Sequence, residues 1–393
     1  MTDLILDDDV VDAPEERSPM DSVRFLSLEM KNFLSYKDST LDFGSFVALV
    51  GPNASGKSNA VAAIRLLTEI RAFGLPVAIN RRGGYDQLRH RSSGHPYDPT
   101  LTLRFELEGS LASFYELSLG SIEGGRYRVK REQAVVYLGR NKFEFSSDGK
   151  TVLVRDQEEG QQRRSIVAGG QSAISTSGSV AGFVVFDVLG RIQTLDVNPK
   201  SVGELQEPSS VSEFLPDGSN VASIFEDLSQ QERREVVEDL AAIVPGIARI
   251  EVPHLADKLT LRFWQATDKG TRKFLAKQMS DGTLRMFAVL LAAHRSGKSG
   301  LLVIEEPEVA VHLGAMRTLT EIVMARCAQA QVLVTTHSAD IVNAIAVDSL
   351  RVVWTEAGAS RIAHVASHTR ETIQSSLMTP GELLSADLLD PAQ

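Results

Sequence analysis

The sequence contains a single cysteine, Cys327, among 393 residues. One thiol cannot form an internal disulfide framework, so small disulfide-stabilised secreted proteins are excluded and a reducing cytoplasm is the expected compartment. Because Cys327 lies in the helical run MRTLTEIVMARCAQA, we expect a buried structural thiol.

Long apolar runs are also missing. No stretch of about 18 uncharged apolar residues occurs, so no membrane-spanning helix is expected. Residues 1–20 carry seven acidic side chains and one arginine, Arg17, without the apolar core of a secretory signal. This composition predicts a disordered, solvated acidic tail.

The sequence also lacks an excess of positive charge, because the formal net charge is −10. Contact with DNA would therefore require a local basic patch. Three basic runs are candidates, although each alone is more typical of a solvated face: Arg81, Arg82, Arg89 and Arg91; Arg126, Arg128, Lys130 and Arg131; Arg163 and Arg164. Heptad arrays and internal repeats are absent as well, which excludes a long coiled-coil arm.

What the sequence does contain is a phosphate-binding loop. Residues 46–67, FVALVGPNASGKSNAVAAIRLL, have the pattern of a buried strand, a glycine-rich turn and an amphipathic helix. The turn at residues 51–58 matches G-x-x-x-x-G-K-[ST], in which backbone N–H groups and the helix N-terminus surround an anion. Lys57 would reach the β- and γ-phosphates, and the Ser58 hydroxyl would coordinate Mg²⁺. The predicted nucleotide-binding residues of the loop are Asn53, Ala54, Ser55, Gly56, Lys57 and Ser58.

A second motif supplies the acids that such a loop lacks. In LLVIEEPE, residues 301–308, an apolar strand ends in Glu305 and Glu306. We expect Glu305 to support Mg²⁺ and Glu306 to orient or deprotonate the attacking water.

One further motif precedes a predicted helix, and another ends a predicted strand. Ser280 and Gly282 lie in KQMSDGT, where Ser280 is a candidate helix N-cap. His337 ends the strand-like run VLVTTHS, at the sheet edge where ligands bind in open α/β folds. A lone histidine at such an edge is more often structural, so the role of His337 depends on its neighbours.

Together the four motifs, in this order, resemble the ABC-type ATPases and specifically the RecF/SMC/OLD-like branch of AAA-type ATPases. The resemblance covers residues 23–90 and 205–355. It implies that ATP and Mg²⁺ are held between two heads of a homodimer, where Lys57 and Ser58 of one head face Ser280 and Gly282 of the other. It also implies that Glu306 is the hydrolytic glutamate, Glu305 the metal-supporting acid, and His337 a switch histidine that senses the γ-phosphate.

The sequence departs from the family pattern at several positions. MSDGT replaces the LSGGQ of transporters, which favours the RecF-like branch. Glu305 stands where aspartate is usual, and Val311-His312-Leu313 replaces leucine-histidine-proline, so His312 is interpreted as structural. Gln87 lies in a loop where the family's glutamine loop could fall, but its spacing matches poorly.

The expected fold is α/β: an ABC-type P-loop ATPase head with a parallel core sheet, an antiparallel β lobe and a helical signature lobe. One ATPase domain, residues 21–355, would be assembled from 21–90 and 205–355 with an inserted antiparallel region at about 95–200, followed by an extension at 356–393. Alternating runs predict the antiparallel strands between 100 and 155. Residues 157–182 are interpreted as a mobile connection and FVVFDVLG, residues 183–190, as a strand.

Three functions remain open. The resemblance favours an ATPase acting on DNA in repair, segregation or anti-phage defence. The alternatives are a regulatory ATP switch that controls a separate effector, such as a nuclease or toxin, and the energising subunit of a transporter, against which the signature sequence argues. A TOPRIM nuclease domain within this chain is not expected, because the 56 residues after His337 carry no paired-acid metal cluster.

Overall fold

The computed structural model describes residues 22–91, 97–124, 126–156, 162–175, 178–210, 213–268, 270–296, 300–312 and 314–392. The acidic tail predicted for residues 1–20 lies outside the described residues, as do residues 157–161 and 176–177 of the predicted mobile connection.

The elements follow one another in four groups along the chain. The first group contains β1 (Val23–Phe33), β2 (Tyr36–Asp42), β3 (Phe46–Val50), α1 (Lys57–Phe73), α2 (Leu75–Asn80) and α3 (Tyr85–Leu88). The second contains β4 (Thr100–Leu107), β5 (Ser113–Ile122), β6 (Arg126–Leu138), β7 (Asn141–Ser147), β8 (Thr151–Asp156), β9 (Gln162–Ile166), α4 (Val180–Gly190), β10 (Ile192–Leu195) and α5 (Pro199–Gly203). The third contains α6 (Val221–Asp227), α7 (Gln230–Ile243), β11 (Ile247–Glu251), β12 (His254–Leu255), β13 (Lys258–Leu259), β14 (Arg262–Thr267), β15 (Gly270–Leu275) and α8 (Asp281–Ser296). The fourth contains β16 (Leu301–Glu305), α9 (Gly314–Arg326), β17 (Gln331–Thr335), α10 (Ala339–Ala344), β18 (Leu350–Glu356), β19 (Ala359–His364), α11 (Ser367–Gln374) and α12 (Pro380–Ser385).

One sheet of 14 strands runs through the described part of the chain, in the order β10-β16-β17-β3-β18-β19-β2-β1-β4-β5-β6-β7-β8-β9. The first five strands of this order are parallel, and the strands from β1 to β9 pair antiparallel. The predicted combination of a parallel core and an antiparallel β lobe is therefore confirmed. Because β3 lies between β17 and β18, strands from the two ends of the chain form one parallel core.

Helices cover both faces of the parallel strands, and each face has its own hydrophobic cluster. Val47 and Leu49 of β3 belong to the cluster that contains α1, α4 and the β lobe. Phe46, Ala48 and Val50 belong to the cluster that contains α8, α9 and α10. All five residues of β3 are buried, as expected for a parallel strand covered on both faces.

The prediction of a strand at residues 183–190 is wrong, because these residues lie in α4. The Ser179 hydroxyl caps this helix by accepting a hydrogen bond from the Gly182 N–H. Val184, Val185 and Val188 are buried on the side that faces the β lobe. A short, continuous apolar run satisfies the strand and the buried-helix pattern equally, and only the surrounding structure decides between them.

Cys327 is a buried free thiol, as predicted, and burial raises its pKa to about 12. Among the described residues, no helix combines the length and the apolar character needed to cross a membrane.

Candidate nucleotide-binding site

The loop between β3 and α1 requires glycine at two positions. Gly51 has φ 148°, and a side chain there would overlap the carbonyl oxygen of Val353. Gly56 has φ 117°, and an added Cβ would lie 2.8 Å from Cβ of Ser360 and 2.9 Å from Oγ of Ser35. Positive φ and close backbone approach both exclude larger residues, so the motif glycines are fixed by packing against β18 and β19.

A set of hydrogen bonds from the neighbouring strands holds the loop in shape. The Tyr36 hydroxyl donates to the Gly56 carbonyl (2.9 Å), and the Ser360 hydroxyl donates to the Ser55 carbonyl (2.5 Å). Asn59 donates to Oγ of Ser35 (2.7 Å), and the Ser35 hydroxyl lies 2.7 Å from Oγ of Ser360, to which it donates because the Ser360 proton is engaged by the Ser55 carbonyl. Ser360 lies 305 residues from Ser55 along the chain, so the sequence carried no signal for this support.

Lys57 is buried and turns back onto the loop. Its Nζ donates to the carbonyls of Gly51 (3.0 Å) and Pro52 (2.9 Å). Burial lowers the pKa of Lys57, while the charges of Glu306 and Glu308 oppose that shift. Asn53, Ala54 and Ser58 are exposed, and Ser55 and Gly56 are buried. The loop thus places Lys57 beside the acids that end β16.

Glu305 is held by an arginine that the sequence analysis did not identify. Arg65 of α1 forms an ion pair with Glu305, and its Nη1 lies 3.6 Å from Oδ2 of Asp196, just after β10. Burial raises the pKa of Glu305 to about 7, although Arg65 works against that rise. The ion pair occupies one carboxylate oxygen of Glu305.

The donors near this edge fit a Mg²⁺ ion that arrives with a nucleotide. The side chains of Ser58 and Glu305 carry oxygen atoms, the ligand type that Mg²⁺ prefers, and Mg²⁺ commonly uses one or two carboxylates together with phosphates and water. Across the described ranges, no group of three or more His, Cys, Asp and Glu side chains could hold a metal by itself. The ion would therefore depend on phosphate oxygens for its remaining ligands.

The backbone leaves the strand conformation at Glu306, directly after β16. Its φ is 42°, and its N–H donates to both the carbonyl (3.0 Å) and the hydroxyl (3.2 Å) of Thr335. Positive φ is uncommon outside glycine, and it fixes the side chain at the carboxyl edge of the sheet. Lys57, Glu306 and His337 follow β3, β16 and β17, which are neighbouring parallel strands, so the three predicted residues lie at one edge of the sheet.

His337 is exposed at the end of β17 and is held through its backbone. Its N–H donates to Oε1 of Glu308 (2.6 Å), which also accepts from the Thr336 hydroxyl (2.8 Å). Burial and the charge of Lys57 lower the pKa of His337, whereas Glu306 and Glu308 raise it. Thr336 and Glu308 were not identified from the sequence, although Glu308 is the last residue of the EEPE motif.

The signature motif forms the predicted helix start. Ser280 is exposed, and its Oγ accepts from the Thr283 N–H (3.2 Å) at the N-terminus of α8. Gly282 is buried, and a side chain there would overlap the Ala310 carbonyl and lie 3.4 Å from Cα of Val311. The signature turn therefore packs on the loop that follows Glu308 in the same chain.

Two other sequence candidates lie away from the acids or serve the local structure. Gln87 is exposed on α3, where its amide oxygen accepts from Arg91 (3.0 Å). His312 is exposed, and its Nδ1 accepts from the Gly314 N–H (3.2 Å), which fits the structural interpretation.

The basic runs are partly neutralised by acidic neighbours. Arg82 pairs with Glu69, Lys130 with Asp98 (2.9 Å), and Arg131 with Glu116 (3.3 Å). These pairs reduce the positive potential that the first two runs can offer to a polyanion.

A cleft of about 600 Å³ opens beside the phosphate loop. It is lined by the loop, by His337, by the end of β18 and by residues of the C-terminal segment, including Leu384, Asp387 and Asp390. The C-terminal segment thus lies next to the predicted nucleotide site.

Comparison with known families gives one match that covers most of the chain. The model described as "AAA domain, putative AbiEii toxin, Type IV TA system" matches residues 46–343. A curated relative, Structural maintenance of chromosomes protein 1 of Arabidopsis thaliana, is 47% identical over 169 residues, which is 37% of this chain. The match spans only 13% of the length of that relative.

Solved structures with a similar fold include Smc head domains. An Smc head bound to the C-terminal winged-helix domain of ScpA covers 88% of this chain and 99% of its own, with TM-score 0.56 and 15% identity. An Smc head with an extended coiled coil, bound to the C-terminal domain of ScpA from Pyrococcus furiosus, covers 90% and 99%, with TM-score 0.54 and 14% identity. At these identities the likeness concerns the fold, and it confirms the expected P-loop ATPase head.

Proposed function

The chain belongs to this AAA domain family, and on that premise we propose that it binds ATP with Mg²⁺ and hydrolyses ATP in sites shared between two copies of the chain. The observation that carries the proposal is the shared edge of β3, β16 and β17. Lys57, Glu306 and His337 follow these three neighbouring parallel strands, and hydrogen bonds from the N–H groups of Glu306 and His337 connect the ends of β16 and β17.

Each residue at this edge has a distinct task in the proposal. The loop N–H groups and Lys57 hold the phosphates, because a helix N-terminus and an ammonium group both favour negative charge. Lys57 must first leave the carbonyls of Gly51 and Pro52, to which it now donates. Mg²⁺, held by Ser58 and Glu305, would neutralise phosphate charge. Glu306 orients the attacking water and accepts its proton, and His337 contacts the terminal phosphate.

Glu306→Gln tests the catalytic assignment. The amide keeps the shape but cannot accept a proton, so we expect turnover to fall by about 100-fold or more, within the range of general-base effects. The ATP-bound dimer should accumulate in size-exclusion chromatography. Glu321→Gln, an exposed carboxylate on α9, is the matched control and should behave as wild type. Hydrolysis by Glu306→Gln at the wild-type rate would show that another residue activates the water.

The homodimer is supported by the placement of the signature motif. Ser280 is exposed, and Gly282 packs on residues 309–312. A second copy of the chain would supply Ser280 and Gly282 to the nucleotide held by Lys57 and Ser58.

Mixing two inactive chains tests the shared site. Lys57→Ala removes the phosphate contact, and Ser280→Arg blocks the signature face. If each site uses residues of two chains, a mixed dimer retains one intact site, and activity returns on mixing. Activity that does not return, in a mixture that forms mixed dimers, would place the complete site within one chain.

A role on DNA is our proposal for what the ATP cycle drives, and a surface outside the predicted basic runs favours it. Cations flank Trp264 of β14 on both sides: Arg249 of β11 lies 5.6 Å from the ring centre and Lys273 of β15 lies 4.2 Å from it. Residues 247–278 contain seven basic and three acidic side chains in a chain of net charge −10. Cation–π contact holds both charges on the sheet face; Arg249 also pairs with Glu251 (2.8 Å), so Lys273 is the stronger candidate for contact with a DNA phosphate.

DNA affinity measured at several salt concentrations tests this surface. Arg249→Glu with Lys273→Glu should weaken binding and reduce its salt dependence, because each lost phosphate contact lowers the slope. The matched control is Arg126→Glu with Arg128→Glu on the β lobe. Equal effects of the two double variants would assign binding to overall charge, and no DNA binding by wild type would exclude the DNA role.

Control of a separate effector is the second candidate, because the matching family model names a toxin of a toxin–antitoxin system. In this role ATP-driven closing would hold or release another protein, such as a toxin or a nuclease. Co-purification of a partner that dissociates on ATP addition, and is retained by Glu306→Gln, would support it. A protein that remains alone under these conditions would count against it. We propose the cytoplasm as its compartment. A transporter subunit is less favoured, because MSDGT stands where transporters have LSGGQ.

A further inference from the structure

We propose that Glu308 is a positioning residue that joins the switch histidine to the signature helix: one carboxylate oxygen holds the backbone of His337, and the other receives Arg285 when the two heads close on nucleotide. The inference rests on the proposed function, because it concerns the closing of two copies of the chain on nucleotide.

The first half of the connection is formed in the structure. Oε1 of Glu308 accepts from the His337 N–H at 2.6 Å and from the Thr336 hydroxyl at 2.8 Å. The Thr336 hydroxyl in turn accepts from the Ser338 N–H at 2.9 Å. The turn around His337 is therefore organised by one oxygen of Glu308, through charge-assisted hydrogen bonds that are stronger than neutral ones.

The second half consists of two polar atoms that lack partners. Oε2 of Glu308 and Nε of Arg285 are both buried, and neither has a hydrogen-bond partner among the described residues. Buried polar atoms without partners are rare, and each one calls for an explanation. One atom is an acceptor and the other is a donor, so a single contact between them would satisfy both.

The charges of Arg285 and Glu308 already act on each other. Arg285 lies in the first turns of α8, three residues after Gly282. Burial lowers the pKa of Arg285, and the carboxylates of Asp196, Glu306, Asp281 and Glu308 oppose that shift. Gly282, three residues before Arg285, packs on Ala310, two residues after Glu308, and a shift of α8 along this contact would bring the guanidinium to the free oxygen of Glu308.

Such a contact would link two parts of the composite site within one chain. His337 and Glu306 serve the nucleotide of the same chain, whereas Ser280 and Gly282 would serve the nucleotide of the partner copy. An ion pair between Arg285 and Glu308 would make the placement of the signature turn depend on the placement of His337. The connection is distinct from the packing of Gly282 on Ala310, which exists without it.

Nuclear magnetic resonance on the nucleotide-free protein tests the first half. The charged groups that act on the His337 imidazole are Lys57, Glu306 and Glu308. Glu308→Gln removes a carboxylate that raises the pKa of His337, so the titration midpoint should move to lower pH. Arg285→Met should leave the midpoint unchanged. An unchanged midpoint in Glu308→Gln would overturn the positioning role.

A double-mutant cycle on turnover tests the second half. We expect Arg285→Met and Glu308→Gln each to lower kcat about tenfold, and the double variant to lose no more than either one. A loss of about 100-fold in the double variant would show that the residues act independently and would overturn the link. If Glu308→Gln does not fold, Glu308→Asp replaces it, and melting curves of every variant identify that case.

The two proposals can fail separately. If wild type neither binds nor hydrolyses ATP, the proposed function is wrong, while the nucleotide-free titration still decides whether Glu308 positions His337. If wild type hydrolyses ATP and the cycle is additive, the ATPase assignment stands and the link through Arg285 is wrong.

Discussion

Substitution of Gly56 by alanine gives the sharpest test of the phosphate loop. Gly56 has φ 117°, in a region that costs a residue with a side chain roughly 1–2 kcal/mol. The added methyl group would also lie 2.8 Å from Cβ of Ser360 and 2.9 Å from Oγ of Ser35. Displacing Ser360 would lose its hydrogen bond to the Ser55 carbonyl, worth about 1 kcal/mol.

The backbone strain, the steric overlap and the lost hydrogen bond together cost about 3–4 kcal/mol. This sum takes about 1 kcal/mol for the overlap, the lower end of the range of about 1–3 kcal/mol for overpacking. If nucleotide binding requires the loop in its present shape, this cost appears in the affinity. Because about 1.4 kcal/mol corresponds to a factor of ten, ATP affinity should fall by roughly two to three orders of magnitude. Titration of a fluorescent ATP analogue, or isothermal calorimetry, measures the change directly.

Two matched variants separate the causes. Gly109→Ala, in the β4–β5 hairpin, has φ 69° and nothing within 4 Å of the added Cβ, so it carries strain without overlap and should not affect ATP binding. Combining Gly56→Ala with Ser360→Gly removes the closest obstacle and should recover part of the affinity. If Gly56→Ala alone binds ATP as tightly as wild type, the loop is not the nucleotide cradle, and the central inference fails.

Three further outcomes follow from other parts of the structure. In Gly282→Ala the added methyl group would overlap the Ala310 carbonyl. We therefore expect at least a tenfold loss of ATPase activity with nearly unchanged ATP binding. An equal loss of activity and of binding would assign the effect to misfolding. Burial raises the pKa of Glu132, and hydrogen bonds only partly oppose this, so its ionised form destabilises the folded protein increasingly as pH rises above about 4.5. The melting temperature of wild type should therefore fall relative to that of Glu132→Gln as pH rises above about 4.5, and a pH-independent difference would contradict the reasoning. Arg326→Met breaks the bidentate ion pair with Asp239 that links α7 to α9. The free energy of unfolding, measured with denaturant, should fall by about 1–2 kcal/mol. An unchanged midpoint would show that the ion pair does not stabilise the fold.

The β lobe owes part of its shape to the same buried carboxylate. Glu132 accepts from the Tyr115 hydroxyl (2.9 Å), the Ser172 hydroxyl (2.5 Å) and the Ala173 N–H (2.7 Å). The three donors partly offset the cost of burying this carboxylate and attach the segment around residue 172 to β6.

The sequence by itself determined the components that depend on local chemistry. GPNASGKS specifies a turn that only glycine-containing backbone can adopt, and the acids of EEPE must follow an apolar strand to reach the sheet edge. The parallel core and the antiparallel lobe followed from patterning with periods of 3.6 and 2. Local pattern failed at residues 183–190, where a continuous apolar run fits a strand and a buried helix equally.

Tertiary structure alone decided which distant residues complete the site. Ser360 supports the phosphate loop from 305 positions away, and Arg65 pairs with Glu305 across 240 positions. Glu308 reaches His337 only because β16 and β17 end side by side. These contacts depend on strand order and on the closeness of chain segments, for which no residue pattern gives a signal. The loop motif therefore indicates ATP, whereas the supports behind the loop and the contact between His337 and Glu308 come from the folded chain.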